Sequence, residues 1–339
     1  MKLTVCVCTH DRPGYLRACL DGLRRQDVPQ TAFATVVVDS GSPEPARSEI
    51  AALTAAYTGA TLIRVDEPGV SAARNAGADA ANEGYIAYID DDAVPAANWV
   101  GSILTALDQD EPPVLIGGRI LPAWEAPLPS WWPPGLRGVL SIIEHEGAGE
   151  YRTAALPPGM EPYAANMVVH VPTMRCVGGF GTGIGRMGTA LLSDEEVQLA
   201  WRLQDLGLSA RYESRIVVHH SIQARRLNPD WLLSRLYWQG ASTVLTRRLL
   251  NDRLLVWREV PRRAAVALLC APAALMPRDS TRFLAARWRW AYATGFLRAA
   301  LGWRAANAAR RIARPPSREM QPREMQPREI QPGRSPAPT

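Results

Sequence analysis

The first 120 residues alternate short apolar runs with segments whose hydrophobic positions recur every three to four residues. LTVCVCT (3–9), the β-branched run 34–38, and the runs 61–65 and 85–89 carry the pattern of buried strands. Between them, Leu16, Leu20 and Leu23 fall on one face of a helix over 14–25, and Ile50, Leu53 and Tyr57 mark a second. The Ala-rich stretch 71–81 supplies a third. Strands separated by helices predict an α/β fold: a parallel sheet covered on both faces, with ligands gathered at the carboxyl ends of its strands. Thr9-His10-Asp11, Asp39-Ser40 and Asp90-Asp91-Asp92 all fall at those ends.

The pattern loosens after Gly117-Gly118. Residues 122–162 are dense in proline and interrupted by Trp124, Trp131 and Trp132, which predicts a long loop or lid. A strand is expected at 166–171, followed by a glycine-rich stretch (178–188) and a helix over 193–206. Two short strands should follow, near 210–213 and 216–219. From Pro229 to about residue 309 the chain reads as helical, in pieces divided near Pro261, Pro272 and Pro277. The repeat REMQP-REMQP-REIQP (318–332) leaves nothing to bury and predicts a disordered tail without chemistry.

A chain of 339 residues, 47% hydrophobic and 21% charged, is ordinary for a globular protein of one large or two modest domains. Its net charge of +5 hides an uneven distribution, with arginines crowded between 247 and 314. Such a segment is either a solvated helical surface or a contact for anionic matter. Five cysteines without CxxC spacing imply a reduced, cytosolic setting, with neither zinc nor disulfides. Cys6 and Cys8 would share one strand face as small hydrophobes. The N-terminus enters a strand directly, without a signal-type stretch. The longest apolar run, 264–276, is broken by Pro272 and too short for a bilayer. The expectation is a cytoplasmic protein that does not cross a membrane on its own.

Three successive carboxylates behind an apolar strand repel one another unless a cation neutralises them. Hard oxygen ligands suit Mn²⁺ or Mg²⁺, and such an ion bridges diphosphate oxygens; a solvated acidic turn capping the next helix is the plainer reading. In GVSAARNAG (69–77) the glycines let a helix N-terminus approach a phosphate or sugar, and Arg74 adds a cation. The competing reading is an Ala-rich helix with a solvated arginine. SDEEVQLAWRLQDLG (193–207) opens with Ser193 as N-cap and sets Asp194, Glu195 and Glu196 in the first turn. Capping alone would account for these acids, and a carboxylate held there over a cleft would also serve as general base. His219-His220 ends a strand-like run in which only one of the pair can face the apolar side.

In their order these segments resemble the family 2 glycosyltransferases, inverting enzymes of GT-A fold. The resemblance covers roughly residues 3–245. It rests on THDR (9–12), VVVDSGS (36–42), GVSAARNAG, YIDDDAVP (88–95), ANM (165–167), GGF (178–180), the acidic helix start and a following histidine. It implies a mainly parallel sheet flanked by helices, with a C-terminal helical extension. Residues 1–121 would bind the nucleotide sugar, and 122–228 would form the acceptor-binding and catalytic half. Residues 229–313 would be helical and membrane-associating, and 314–339 a disordered tail.

The same resemblance implies metal-dependent transfer of a sugar from a nucleotide diphosphate, UDP in the first instance, to an acceptor hydroxyl. Asp39 would contact the base, Thr9 the nucleotide, and Arg74 the nucleotide or its phosphates. Asp90 would reach the ribose, with Asp91 beside it, and Asp92 would hold Mn²⁺ or Mg²⁺ with His220. Glu196 would be the catalytic base and Glu195 an acceptor contact; the choices between Glu195 and Glu196, and between His219 and His220, stay open at this point.

Trp131 and Trp132 lie where acceptor-side loops occur in similar enzymes, to stack on sugars or simply to anchor the loop. Trp257, Trp288, Trp290 and Trp303 among the C-terminal arginines resemble an interfacial element at the inner face of the cytoplasmic membrane, which implies a lipid-linked glycan acceptor. A soluble small-molecule acceptor is the alternative, and no nucleic-acid partner is expected. A nucleotidyltransferase would need a glycine-rich basic loop after the first strand, of which THDRPG is a poor version. A non-catalytic nucleotide-sugar-binding protein would lack the acidic helix start.

Overall fold

A computed structural model describes residues 2–66, 69–182, 184–186, 190–250, 252–276 and 281–302. The tail repeat, Trp303 and Pro277 lie outside the described residues. The chain opens β1 (Leu3–Thr9), α1 (Pro13–Arg24), β2 (Ala34–Ser40), α2 (Ala46–Ala55), β3 (Ala60–Val65), α3 (Val70–Ala81) and β4 (Tyr85–Asp90). It continues through β5 (Ala93–Pro95), α4 (Trp99–Leu107), β6 (Leu115–Trp124), β7 (Ala148–Glu150), β8 (Asn166–His170) and α5 (Val171–Cys176). The last elements are α6 (Glu195–Asp205), β9 (Ala210–Ile222), α7 (Pro229–Leu249), α8 (Arg253–Ala274) and α9 (Leu284–Ala300).

Among the described residues, nine strands form one sheet in the order β3-β2-β1-β4-β8-β6-β9-β5, with β7 on β9. The first four run parallel, as the alternation of strand and helix requires. β8 then enters antiparallel to both β4 and β6, so the second half of the sheet is mixed. The two short strands expected near 210–219 are one strand, β9, parallel to β6 with a register shift at Gly118/Arg119. That irregularity turns the strand without ending it.

Two small residues set how closely the elements approach. A Cβ on Gly77 would stand 2.4 Å from Cys6 Sγ, so this glycine of the GVSAARNAG segment lets α3 lie on β1. A Cβ on Gly118 would stand 2.2 Å from the Asn166 side-chain nitrogen. Asn166, the first residue of β8, is buried there, donating to the carbonyls of Arg119 and Ile216 and accepting from Trp99 Nε1 at 2.9 Å. It ties β8 to its neighbours and to α4.

The C-terminal helices pack mainly on one another, α9 against α7 and α8. The divisions expected at Pro261 and Pro272 do not occur: α8 runs through both. Each proline removes one backbone donor, and both sit on the exposed side of the helix. Solvent there replaces the lost bond, which makes the interruption tolerable.

Candidate functional site

The acidic triplet follows β4 at the carboxyl edge of the sheet, and each aspartate meets a guanidinium. Asp91 is fully buried, accepts from Thr9 Oγ1 at 2.7 Å and pairs with Arg12 at 2.5 Å. Burial pushes its carboxyl up to about 7, against the pull of Arg12. Asp92 is also buried; its Oδ2 takes Arg12 at 2.7 Å and Arg226 at 3.2 Å, and its Oδ1 faces His220 Nε2 at 3.4 Å. Burial opposes ionisation of Asp92, but the hydrogen bond and charge of His220, then Arg12 and Arg226, hold it well below the usual carboxylate range. Asp90 is the most open of the three and accepts from Arg74 at 3.3 Å. The repulsion expected from the sequence is therefore balanced within the chain, by Arg12, Arg74 and Arg226.

α3 and α6 meet at the second half of the site. Arg74, 4% exposed, donates to Glu195 Oε1 at 2.6 Å, and its neighbour Asn75 exchanges hydrogen bonds with the backbone of Phe180 at 2.9 and 3.0 Å. Glu195, then Asp90, raise the Arg74 guanidinium despite desolvation. GVSAARNAG thus fastens GGF and the acidic helix start to the sheet. Arg74 is committed to carboxylates rather than standing free for a phosphate.

Glu196, next in sequence, is buried with its Oε2 lacking a hydrogen-bond partner among the described residues. Burial first, and then the Glu195 charge, raise its carboxyl well above the ordinary range.

Ser193 does not cap α6. The cap position is held by Asp194 in a left-handed conformation (φ 77°), without a side-chain cap bond. Gln239 of α7 donates to both Asp194 oxygens at 2.9 and 3.0 Å, and Ser193 Oγ donates to Asp194 Oδ1 at 2.8 Å. A non-glycine residue in that conformation is costly, and here α7 holds it in place directly before the two glutamates.

Thr9, Asp90, Arg74, Glu195 and Glu196 line one cleft of about 640 Å³ at this sheet edge. Asp39 lies at the end of β2, buried, accepting from the Ser42 amide at 3.1 Å, and shapes the turn whose Ser40 lines the cleft. Alternation along β9 turns His220 inward and leaves His219 exposed. Asp92 and His220 sit behind Arg12 and Arg226, whose guanidiniums front the cleft.

Trp131 and Trp132 line neither this cleft nor the smaller cavity beside it. Trp132, 4% exposed, packs with Leu140, Ile142, Leu227, Leu232 and Leu236, and Trp131 leans on that cluster. Both anchor the proline-rich segment, because burial of their rings against α7 releases more apolar surface than an open cleft could.

A basic wall of the cleft leaves no pattern in the sequence. Arg186, Arg225, Arg226 and Arg235 also line the cleft, Arg226 in contact with Asp92. Burial and then Arg186 lower Arg226 to about 10; burial lowers Arg235 too, opposed by Asp194 and more weakly by Tyr163 and Glu196, and reinforced by Arg186. Arg235 Nη1 is buried without a partner among the described residues. Guanidiniums that crowd one another around a cavity make it a place for an anion with several oxygens.

Whether this edge suits a divalent ion is decided by its donors. Asp92 Oδ1 and His220 Nε2 converge at 3.4 Å, an oxygen and an imidazole nitrogen of the kind Mn²⁺ accepts. Among the described residues no group of three or more His, Cys, Asp and Glu side chains is placed to hold a metal. Asp92 and His220 would supply two protein donors, leaving the remaining ligands of such an ion to water and substrate phosphates.

Comparison with known proteins agrees with this layout. The model of Glycosyl transferase family 2 matches residues 4–135. The chain is similar to a glucosyl-dolichyl phosphate glucuronosyltransferase of Haloferax volcanii, 27% identical over 175 residues, covering 51% of this chain and 54% of the relative. It is 28% identical over 234 residues to a pre-mycofactocin glycosyltransferase of Mycobacterium tuberculosis, covering 67% of this chain and 45% of the relative. The chain thus spans about half the length of these curated relatives.

Among solved structures, the mannosyltransferase PcManGT of Pyrobaculum calidifontis with GDP-Man and Mn²⁺ superposes with a TM-score of 0.55 at 16% identity, covering 87% of each chain. S. aureus TarS 1-349 with UDP gives 0.51 at 14% identity, covering 89% of this chain and 92% of that one. At such identities the likeness is one of fold. The strand order, the acidic triplet at the sheet edge and the sequence match agree: residues 4–135 are similar to glycosyl transferase family 2, on a fold shared with these solved transferases.

Proposed function

We propose that this protein transfers a glycosyl unit from a nucleotide diphosphate sugar, UDP-linked in the first instance, to an acceptor hydroxyl with inversion at the anomeric carbon. The observation that carries the reading is Glu196, a buried carboxylate with no ion-pair partner among the described residues, in a cleft lined also by arginines and Asp90. Arg226, Arg235 and Arg186 supply the positive wall that a diphosphate requires, and Arg74 and Glu195 fix the neighbours of Glu196. Glu196 takes the proton from the acceptor hydroxyl as that oxygen attacks the sugar carbon opposite the leaving diphosphate. Burial excludes water from the base and strengthens the guanidinium contacts to the departing charge. Asp92 and His220 would hold Mn²⁺ or Mg²⁺, which supplies Lewis-acid stabilisation of the diphosphate when bound.

The acceptor proposed is a lipid-linked glycan met at an anionic membrane surface. α8 supports this with an outward stripe of Leu254, Trp257, Leu268, Leu269 and, at its end, Leu275, exposed by 55–87%. Arg258 and Arg262 flank the stripe, and Glu259, the one acid of the helix, is bound by Arg247 and Arg263. An amphipathic helix with basic flanks lies in a headgroup layer. No helix among the described residues is long and apolar enough to cross a membrane. Trp288 is taken up by the apolar cluster around Trp132, so the surface role falls to α8 rather than to the C-terminal tryptophans as a set.

Release of UDP from UDP-sugars with Mn²⁺, with and without acceptor, tests the reading. Indifference to every nucleoside diphosphate, in binding and turnover alike, would overturn it.

A further inference from the structure

A second cavity, of about 310 Å³, adjoins the cleft and shares Tyr163, Asp194 and Val197 with it. One wall is the turn 134–140 of the proline-rich segment, through Leu136 and Val139. The opposite wall comes from α6 and α7, through Trp201 and Thr246. Its size is at the small end of ligand pockets, enough for a single ring.

Its chemistry is unlike that of the cleft. Both carboxylate oxygens of Glu161 accept from Trp201 Nε1, at 3.1 and 3.2 Å. Burial raises this carboxyl to about 7, so near neutral pH it can donate a hydrogen bond as well as accept one. Thr246 is 3% exposed and its Oγ1 has no partner among the described residues. The Gln239 amide nitrogen is committed to Asp194, and the one arginine of this lining, Arg247, is paired with Glu259 at 2.8 Å. The cleft gathers guanidiniums, whereas this cavity presents no uncommitted cation among the described residues. An anion entering it would meet Glu161 and Asp194. A neutral hydroxyl would find a half-buried carboxyl group able to donate or accept and a buried threonine hydroxyl that gains from a partner.

We propose that this cavity binds an uncharged, hydroxyl-bearing ring, the terminal sugar of the acceptor, through Glu161 and Thr246. The shared wall at Val197 then sets that ring beside Glu196, its neighbour in sequence. The assignment rests on the transferase reading above and adds to it the chemical class and position of the acceptor.

Saturation-transfer NMR with the methyl glycosides of glucose, mannose, galactose and N-acetylglucosamine tests the assignment on the full chain, beside thermal shifts with UDP. At least one glycoside should bind the wild-type protein. Glu161→Ala and Thr246→Val should each weaken it about tenfold, and Leu136→Trp, which fills the cavity, should abolish it. The UDP shift should persist in all three variants. Should the Glu161 variant fail to fold, the other two decide.

UDP binding without binding of any glycoside overturns the cavity assignment alone. Glycoside binding that none of the three substitutions moves overturns it as well, as does a preference for sugar 1-phosphates over methyl glycosides that depends on Thr246. Glycoside binding with the expected losses, but no nucleotide binding, keeps the sugar site and overturns the transferase reading.

Discussion

Arg74 Nη1 donates to Glu195 Oε1 at 2.6 Å, and this contact separates two adjacent carboxylates that sequence treats alike. Each glutamate keeps a buried, unpartnered Oε2, but only Glu195 is ion-paired from α3, and Glu196 has no such partner among the described residues. On the proposed reading, Glu195 positions and Glu196 reacts.

Replacement of the two should therefore have different consequences. Glu196→Gln keeps the shape and removes the base, so turnover should fall about 10²- to 10⁴-fold while the UDP thermal shift is retained. Glu195→Gln leaves Arg74 buried with Asp90 as its remaining partner, and removal of one partner of a buried pair costs about 3–5 kcal/mol. That loss should appear in denaturant unfolding. Near wild-type turnover in Glu196→Gln would remove the base assignment.

The pH dependence follows from the same pair. Burial and the Glu195 charge raise Glu196, and a base acts in its ionised form, so kcat/KM should increase with pH as the proton leaves. The acid limb should lie above that of an ordinary glutamate, which titrates near about 4.3. Glu195→Gln removes the neighbouring charge and leaves Arg74 nearby, so its limb should move to lower pH. A limb at the ordinary position, unmoved by that substitution, would contradict this account.

The parts of this site visible in the sequence are those carried by short-range pattern. The β1, β2 and β4 runs end where strand alternation stops, so the strand-end positions of Thr9, Asp39 and Asp90 could be read directly. The alternation in β9 likewise separates His220 from His219. Arg226 was out of reach because its partner, Asp92, lies 134 residues away, and such a pairing leaves no period in either segment. Gly77 looked like a phosphate approach and proved to be a packing contact with Cys6, since both uses select for the same missing side chain. Trp131 and Trp132 were placed by the company of prolines, which marks a loop and not the direction in which its rings turn.

Metal use can be separated from nucleotide binding at Asp92 and His220. UDP with Mn²⁺ should raise Tm more than UDP alone, and EDTA should remove the difference. His220→Ala should lose the Mn²⁺-dependent part and keep the rest. Asp92→Asn should do the same and also destabilise the fold by about 3–5 kcal/mol, because Arg12 and Arg226 lose the buried anion they share. A wild-type shift that ignores Mn²⁺ would end the metal reading while leaving the basic wall to bind the diphosphate.

Membrane contact is a matter of one helix face. Positions 254, 257, 261, 265, 268, 272 and 275 succeed one another by three or four residues, all exposed and all apolar. Such a stripe along a helix of 22 residues has no protein partner among the described residues, and the nearest charges on the same side, Arg258 and Arg262, are basic. Insertion of leucines and Trp257 supplies an apolar contribution, and the arginines add an electrostatic one that salt screens. The protein should float with vesicles containing phosphatidylglycerol, less with neutral vesicles, and less again at high ionic strength. Arg258→Glu with Arg262→Glu should remove the dependence on lipid charge. Leu268→Ser with Leu269→Ser should weaken flotation on both vesicle types and leave UDP binding unchanged, since neither residue approaches the cleft. Failure to float at low salt would remove the membrane reading, and self-association through the stripe in gel filtration without lipid would assign this face to a second copy of the chain.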